Sequence, residues 1–113
     1  SERKRMSILI RNKITNKIEL ITKGSDSVML NLLKDEKVNR ISSDSLNEKI
    51  KSTHDFFCKR GLRCLIYAKK EIKEEKYLKW KERYDYSLEK GRDLSQYYEY
   101  MEENLNFLGI SAI

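Results

Sequence analysis

Leu62-Arg63-Cys64-Leu65-Ile66-Tyr67-Ala68 is a nearly continuous apolar run, bounded by Gly61 on one side and Lys69-Lys70 on the other. Such a stretch is short for a helix and the right length for a strand. A strand without polar alternation reads as one buried on both faces. The rest of the chain must then provide a sheet around it and helices to cover that sheet. Arg63 is the single charge in the run. A buried guanidinium is costly unless it is paired or sits at the strand's rim. Its position therefore predicts either a bound ligand or a carboxylate partner such as Glu48 or Asp55.

The other segments supply what the run requires. Residues 5–11 alternate Met6, Ile8 and Ile10 with Ser7, Leu9 and Arg11, which reads as a strand. Thr15-Asn16-Lys17 suits a turn, and residues 18–22 a second, antiparallel strand. Residues 27–34 form a short helix, with Ser25 or Asp26 as N-cap. Residues 37–43 are polar and loop-like. Ser45-Leu46-Asn47-Glu48 fits a capping box that opens a helix through Arg60. Its inner stripe is Leu46, Ile50, Thr53 and Phe57, and Gly61 ends it. Residues 72–90 are helical with Tyr77, Trp80 or Lys81, Tyr84 and Leu88 in register, and Gly91 breaks them. Residues 94–105 continue as helix, with Tyr97, Tyr100 or Met101, and Leu105 on one face. Residues 107–113 close the chain as a strand. The fold class is therefore α/β (α+β). The expected sheet is antiparallel or mixed, ordered hairpin, 62–68, 107–113, and backed by the helices at 45–60 and 72–90.

Charge is unevenly spread. Residues 1–23 carry seven Lys or Arg against two Glu, a net +5, within a chain of net charge +6. Residues 69–103 hold nine basic against ten acidic groups, a mixed solvated face. A localised positive field favours polyphosphate, nucleic acid or an acidic surface. No apolar run approaches the roughly 18 residues needed to span a bilayer. At 113 residues the chain is one domain or part of one.

Two motifs carry chemistry. Lys23-Gly24-Ser25-Asp26 places a lysine beside a glycine at a strand end, just before a helix. Gly61-Leu62-Arg63 places an arginine at the start of the apolar run. Lysine offers a point charge and arginine a planar fork, both suited to phosphate oxygens. Glycine lets a backbone or ligand approach closely. Cys58 and Cys64, with His54 nearby, lack zinc-ligand spacing, so both read as reduced core or half-buried thiols, and no metal ligand is assigned. His54 reads as a packed or surface histidine. Tyr77, Tyr84, Tyr97, Tyr98 and Tyr100 sit at helical spacing among acids, which points to helix packing rather than base stacking.

These motifs, in this order, resemble the nucleotide-binding domain of P-type ATPases, specifically the lipid-flippase (type IV) branch. Ser1-Glu2-Arg3-Lys4-Arg5-Met6-Ser7 resembles the family's basic strand start, and Lys23-Gly24 its lysine-glycine motif. Gly61-Leu62-Arg63-Cys64-Leu65 resembles its glycine-leucine-arginine-threonine-leucine strand. Glu74-Glu75-Lys76-Tyr77-Leu78-Lys79-Trp80 and residues 104–113 resemble flippase patterns in particular. Ser25 stands where the family usually has alanine, and Cys64 where it usually has threonine. The resemblance also implies an adenine-stacking phenylalanine shortly upstream of Ser1, which this chain lacks.

The resemblance implies that residues 1–113 are a partial nucleotide-binding domain, without the adenine-stacking segment and the downstream phosphorylation domain. Lys23, Gly24, Arg63, Lys4 and Met6 would contact ATP, accompanied by Mg²⁺. The partners implied are adenine nucleotide and the phosphorylation and actuator domains of the parent chain. Phospholipid would be met only through a membrane part, on whose cytosolic side this segment would lie, and no nucleic acid is expected. The chain has no Walker A pattern, no G-x-G-x-x-G and no aspartate-lysine-threonine-glycine phosphorylation motif, so no catalytic residue is assigned. Two other readings stand beside this one. One is a flippase-like pseudo-ATPase domain with a regulatory or scaffolding role. The other is a basic-hairpin module for nucleic acid or an acidic surface.

Overall fold

A computed structural model describes residues 3–34 and 46–113. Its strands are β1 (Arg5–Arg11), β2 (Ile18–Gly24), β3 (Cys64–Ile72) and β4 (Asn106–Ala112). They form one sheet in the order β1-β2-β3-β4, with every neighbouring pair antiparallel. This is the expected order, and the mixed alternative falls away. The helices are α1 (Asp26–Leu32), α2 (Leu46–Cys58), α3 (Glu74–Glu89) and α4 (Ser95–Met101). The sequence patterns at residues 37–43 and at Ser45 lie outside the described residues.

One face of the sheet is covered and the other is open. Leu20, Thr22, Ile66 and Ala68 have no exposed surface, and they share a face because alternate residues of a strand point the same way. Met29, Ile50, Trp80, Met101 and Leu105 complete this core from the helices and the segment before β4. On the opposite face Met6 is 61% exposed, Ile8 50% and Leu65 38%. The 62–68 run is therefore buried on one face only, because all the helices pack on the same side.

Several boundaries differ from expectation for identifiable reasons. β3 starts at Cys64 and runs on through Lys69-Lys70-Glu71 to Ile72. Pairing overrides the polar composition there. Lys69 meets Glu19 at 3.1 Å, and the Lys70 ammonium donates to the Glu103 carbonyl at 2.9 Å. The helix expected from residue 72 consequently begins at Glu74. The 94–105 helix stops at Met101, and Asn104 adopts φ 51°. Leu105 instead forms a parallel bridge with Leu33, its N–H donating to the Leu32 carbonyl at 2.9 Å. A completely buried leucine suited the helical stripe equally well, so its periodicity was ambiguous.

Two side-chain networks fix the helices, one between α3 and α4 and one between the end of α4 and β1. Trp80 stacks on Tyr84 with centroids 4.7 Å apart, and its indole N–H donates to the Tyr97 carbonyl at 2.7 Å. Tyr98 meets both rings edge-on, so the tyrosine stripe serves mainly to pack α3 against α4. On the other side of α4, the Glu102 carboxylate is buried beneath β1. It accepts hydrogen bonds from Arg3 at 2.6 Å, from Arg5 at 2.8 Å and from the Ser7 hydroxyl. Burial raises the Glu102 pKa, but those three donors outweigh it and hold the group below its ordinary value.

Candidate functional site

Strand register assembles a row across the open face. Met6 pairs with Lys23, Lys23 with Tyr67, and Tyr67 with Gly109. Lys23 is the exposed cation in the middle of this row. Tyr67 is half-buried, and its hydroxyl lies 3.3 Å from the Ser111 hydroxyl. Gly109 leaves open space, since a Cβ built there meets nothing within 4 Å. The row thus offers apolar surface, one cation and a gap where a side chain would otherwise stand.

Gly24 is needed for a close approach, and the approaching group belongs to the protein itself. A Cβ at this position would lie 2.7 Å from the Arg5 Cβ and 2.7 Å from the Lys4 carbonyl oxygen. That carbonyl accepts the Ser25 N–H at 3.1 Å, which ties the start of β1 to the end of β2. Lys4 sits just before β1, exposed, with φ 58°. The glycine therefore draws the Lys4–Met6 segment against Lys23. The helix that follows adds little anion affinity: α1 has only seven residues and opens on the Asp26 carboxylate.

Arg63 precedes β3, and its backbone continues the ladder through reciprocal hydrogen bonds with Ile113 at 2.8 and 2.9 Å. By strand alternation it shares the face of Leu65, Tyr67 and Lys23. It is exposed, so the burial argument for an obligatory partner lapses. Among the described residues neither the Lys23 nor the Arg63 side chain takes a hydrogen bond or ion pair. Glu48 and Asp55, the carboxylates considered for Arg63, are not seen paired with it; Asp55 lies 3.9 Å from the His54 imidazole. Four residue steps along β3 separate Tyr67, the partner of Lys23, from Arg63, a backbone span of about 13 Å at 3.3 Å per residue. A ligand that meets both cations without drawing their side chains together must be elongated.

Much of the basic hairpin's charge is internally compensated. Arg3 and Arg5 bind Glu102, Arg11 grips Glu74 through two 3.0 Å bonds, and Lys17 lies 3.4 Å from Glu71. Lys4, Lys13 and Lys23 are the cations of residues 3–23 outside these pairs. A groove of about 470 Å³ lies apart from the row, between α3 and α4, lined by Lys76, Trp80, Arg83 and Tyr100. Another of about 300 Å³ between α2 and β4 shares only Gly109 with the row.

Tyr67, Leu65 and Gly109 were not among the residues singled out from sequence. Alternation from Arg63 would place Leu65 and Tyr67 on its face. Their adjacency to Lys23 depends on strand register, which no local pattern reveals. Cys64 is half-buried and reduced, as expected, whereas Cys58 is exposed rather than packed.

The family described as P-type ATPase, cytoplasmic domain N, matches residues 1–113. Over its full length the chain is 35% identical to a human protein named phospholipid-transporting ATPase VB. It is 34% identical to phospholipid-transporting ATPase dnf2 of Schizosaccharomyces pombe and 34% identical to the mouse phospholipid-transporting ATPase IK, again over all of this chain. In each case it spans 8% of the relative's length.

Proposed function

The chain belongs to the family of P-type ATPase cytoplasmic N domains, and from that premise we propose that its open face binds ATP for a phospholipid-translocating pump. The observation that carries this reading is the Met6–Lys23–Tyr67–Gly109 row with Arg63 beyond it. Met6, Leu65 and Tyr67 offer apolar and aromatic surface for a base, and Gly109 leaves room for it. Among the described residues Lys23 and Arg63 take no side-chain hydrogen bond or ion pair, so a polyphosphate can engage both without breaking one seen there. Their separation suits an elongated nucleotide better than a lone phosphate. Lys4 would add charge at the edge of the face.

Mg²⁺ would arrive with the nucleotide and neutralise its phosphates; the row itself offers it no carboxylate. Bound ATP supplies the phosphoryl group that such pumps transfer to an aspartate. This chain's residues bind and orient, while the acceptor would belong to a phosphorylation domain and the lipid path to a membrane part of the parent. The described residues include no helix long and apolar enough to cross a membrane. On this reading the domain works on the cytosolic side. A nucleic-acid role is less well supported, because Arg3, Arg5, Arg11 and Lys17 are engaged in ion pairs.

Amide chemical shifts during titration with Mg·ATP test the proposal. Shifts are expected at Met6, Lys23, Tyr67, Gly109 and Arg63. Lys23→Glu should weaken binding by about 10- to 100-fold, the equivalent of the 1.5–3 kcal/mol of a charge-assisted hydrogen bond. Shifts confined to α3 and α4, or a stronger response to duplex DNA than to Mg·ATP, would overturn it. A pseudo-ATPase parent would be recognised by nucleotide binding here without phosphoenzyme formation in the whole protein.

A further inference from the structure

The end of the sheet that carries Arg63 on its open face carries a second group of side chains on its covered face. His54 and Cys58 stand one helical turn apart on α2, and Cys64 is the first residue of β3. Their ligand atoms all lie within 4.8 Å of one another. The Cys58 sulfur is 3.6 Å from His54 Nδ1 and 3.5 Å from Nε2. Asp26, at the start of α1, places Oδ1 3.4 Å from His54 Nε2. Three elements thus bring together two thiols, an imidazole and a carboxylate.

We propose that His54, Cys58 and Cys64 form a binding site for a thiophilic d¹⁰ cation, Zn²⁺ in particular, with Asp26 orienting the histidine. The donor set selects the metal. Two sulfurs and one nitrogen suit zinc or copper(I), whereas Mg²⁺ and Ca²⁺ require oxygen ligands. The dimensions also agree. Zn–S of about 2.3 Å and Zn–N of about 2.0 Å at a tetrahedral angle give a sulfur–nitrogen edge of roughly 3.5 Å. Asp26 at Nε2 directs Nδ1 to the metal, the carboxylate–histidine–metal arrangement that fixes a ligand's tautomer and ring orientation. Asp55, 3.9 Å from Nδ1, has a side chain 72% exposed and is free to swing into solvent. Three protein ligands leave a fourth position for water. Cys58 is exposed, so a metal can enter from solvent.

Both cysteines are free thiols. Occupancy would clip α1, α2 and β3 together directly behind Gly24 and Arg63. The site stands independently of the nucleotide reading, since it uses the other face of the sheet.

The test is a titration of the reduced, metal-free chain with Co²⁺, followed by Zn²⁺. One cobalt per chain should produce a thiolate-to-metal charge-transfer band and the intense visible bands of a tetrahedral ion, and Zn²⁺ should displace it. Zn²⁺ should also protect Cys58 and Cys64 of the unaltered chain from alkylation. Cys64→Ser should abolish the charge-transfer band or reduce it sharply, and Asp26→Asn should lower affinity about 10- to 100-fold. No thiolate band and no protection in the unaltered chain would overturn the proposal, whatever the variants do. A band that survives Cys64→Ser unchanged, or thiols lost to a Cys58–Cys64 disulfide at the same rate with and without Zn²⁺, would overturn it too.

Discussion

Glu102→Gln should destabilise this domain more than any other isosteric change in it. The Glu102 side chain is wholly buried, while those of Arg3 and Arg5 are only 18% and 14% exposed. The substitution preserves volume, so no cavity term enters. It removes the negative charge and replaces one acceptor oxygen with a donor, leaving two poorly solvated guanidiniums facing a neutral amide. Breaking a buried pair from one side costs about 3–5 kcal/mol, a large part of the roughly 5–15 kcal/mol that holds a domain folded. Trp80 is the only tryptophan and is 7% exposed, so its fluorescence reports unfolding directly. With a urea m-value of about 2 kcal/mol/M, the midpoint should fall by roughly 1.5–2.5 M. The carboxylate's folded-state pKa lies below its unfolded value. Its contribution is therefore complete above the unfolded pKa and is lost as pH falls through the folded one. The parent chain should lose stability on acidification below about pH 5, and Glu102→Gln should show a shallower slope there. A loss under about 1 kcal/mol with an unchanged acid profile would refute this account and make the network a solvated surface pairing.

Gly24→Ala should cost about 1–3 kcal/mol in urea unfolding, because its Cβ can be accommodated only by moving the backbone of Lys4 and Arg5. Mg·ATP affinity should fall with it, since Met6 and Lys4 would shift away from Lys23. Arg63→Ala should weaken Mg·ATP by about 10-fold or more while changing stability by less than roughly 0.5 kcal/mol, as the residue is exposed and lies outside the ion pairs; isothermal titration and thermal melts separate the two effects. Leu20→Ala should cost about 2–5 kcal/mol, because Leu20 is completely buried at the centre of the sheet; an unfolding midpoint close to the parent's would place the core elsewhere.

The chain's local patterns determined its elements. Alternation at Met6, Ile8 and Ile10 specified β1, and the Leu46–Ile50–Phe57 stripe with Gly61 at φ 77° specified α2 and its end. These signals are legible because they repeat within one strand or helix, where backbone geometry alone relates the residues. The lysine-glycine and glycine-leucine-arginine motifs likewise stood out as candidate phosphate contacts, although the run that holds Arg63 read as buried on both faces. Tertiary structure decided what depends on pairing between distant segments. Polar Lys69-Lys70-Glu71 became strand because β2 and the Glu103 carbonyl satisfied them, and Leu105 left the helical stripe to bridge Leu33. Lys23 came to stand between Met6 and Tyr67 through register, and a one-residue slip would have sent its side chain to the other face. His54, Cys58 and Cys64 carry no recognisable ligand spacing, yet the turn at Gly61 folds the start of β3 back beside α2 and brings sulfur and nitrogen within 4.8 Å. Spacing along a chain predicts contacts only within an element; between elements, sheet register and helix packing set the distances.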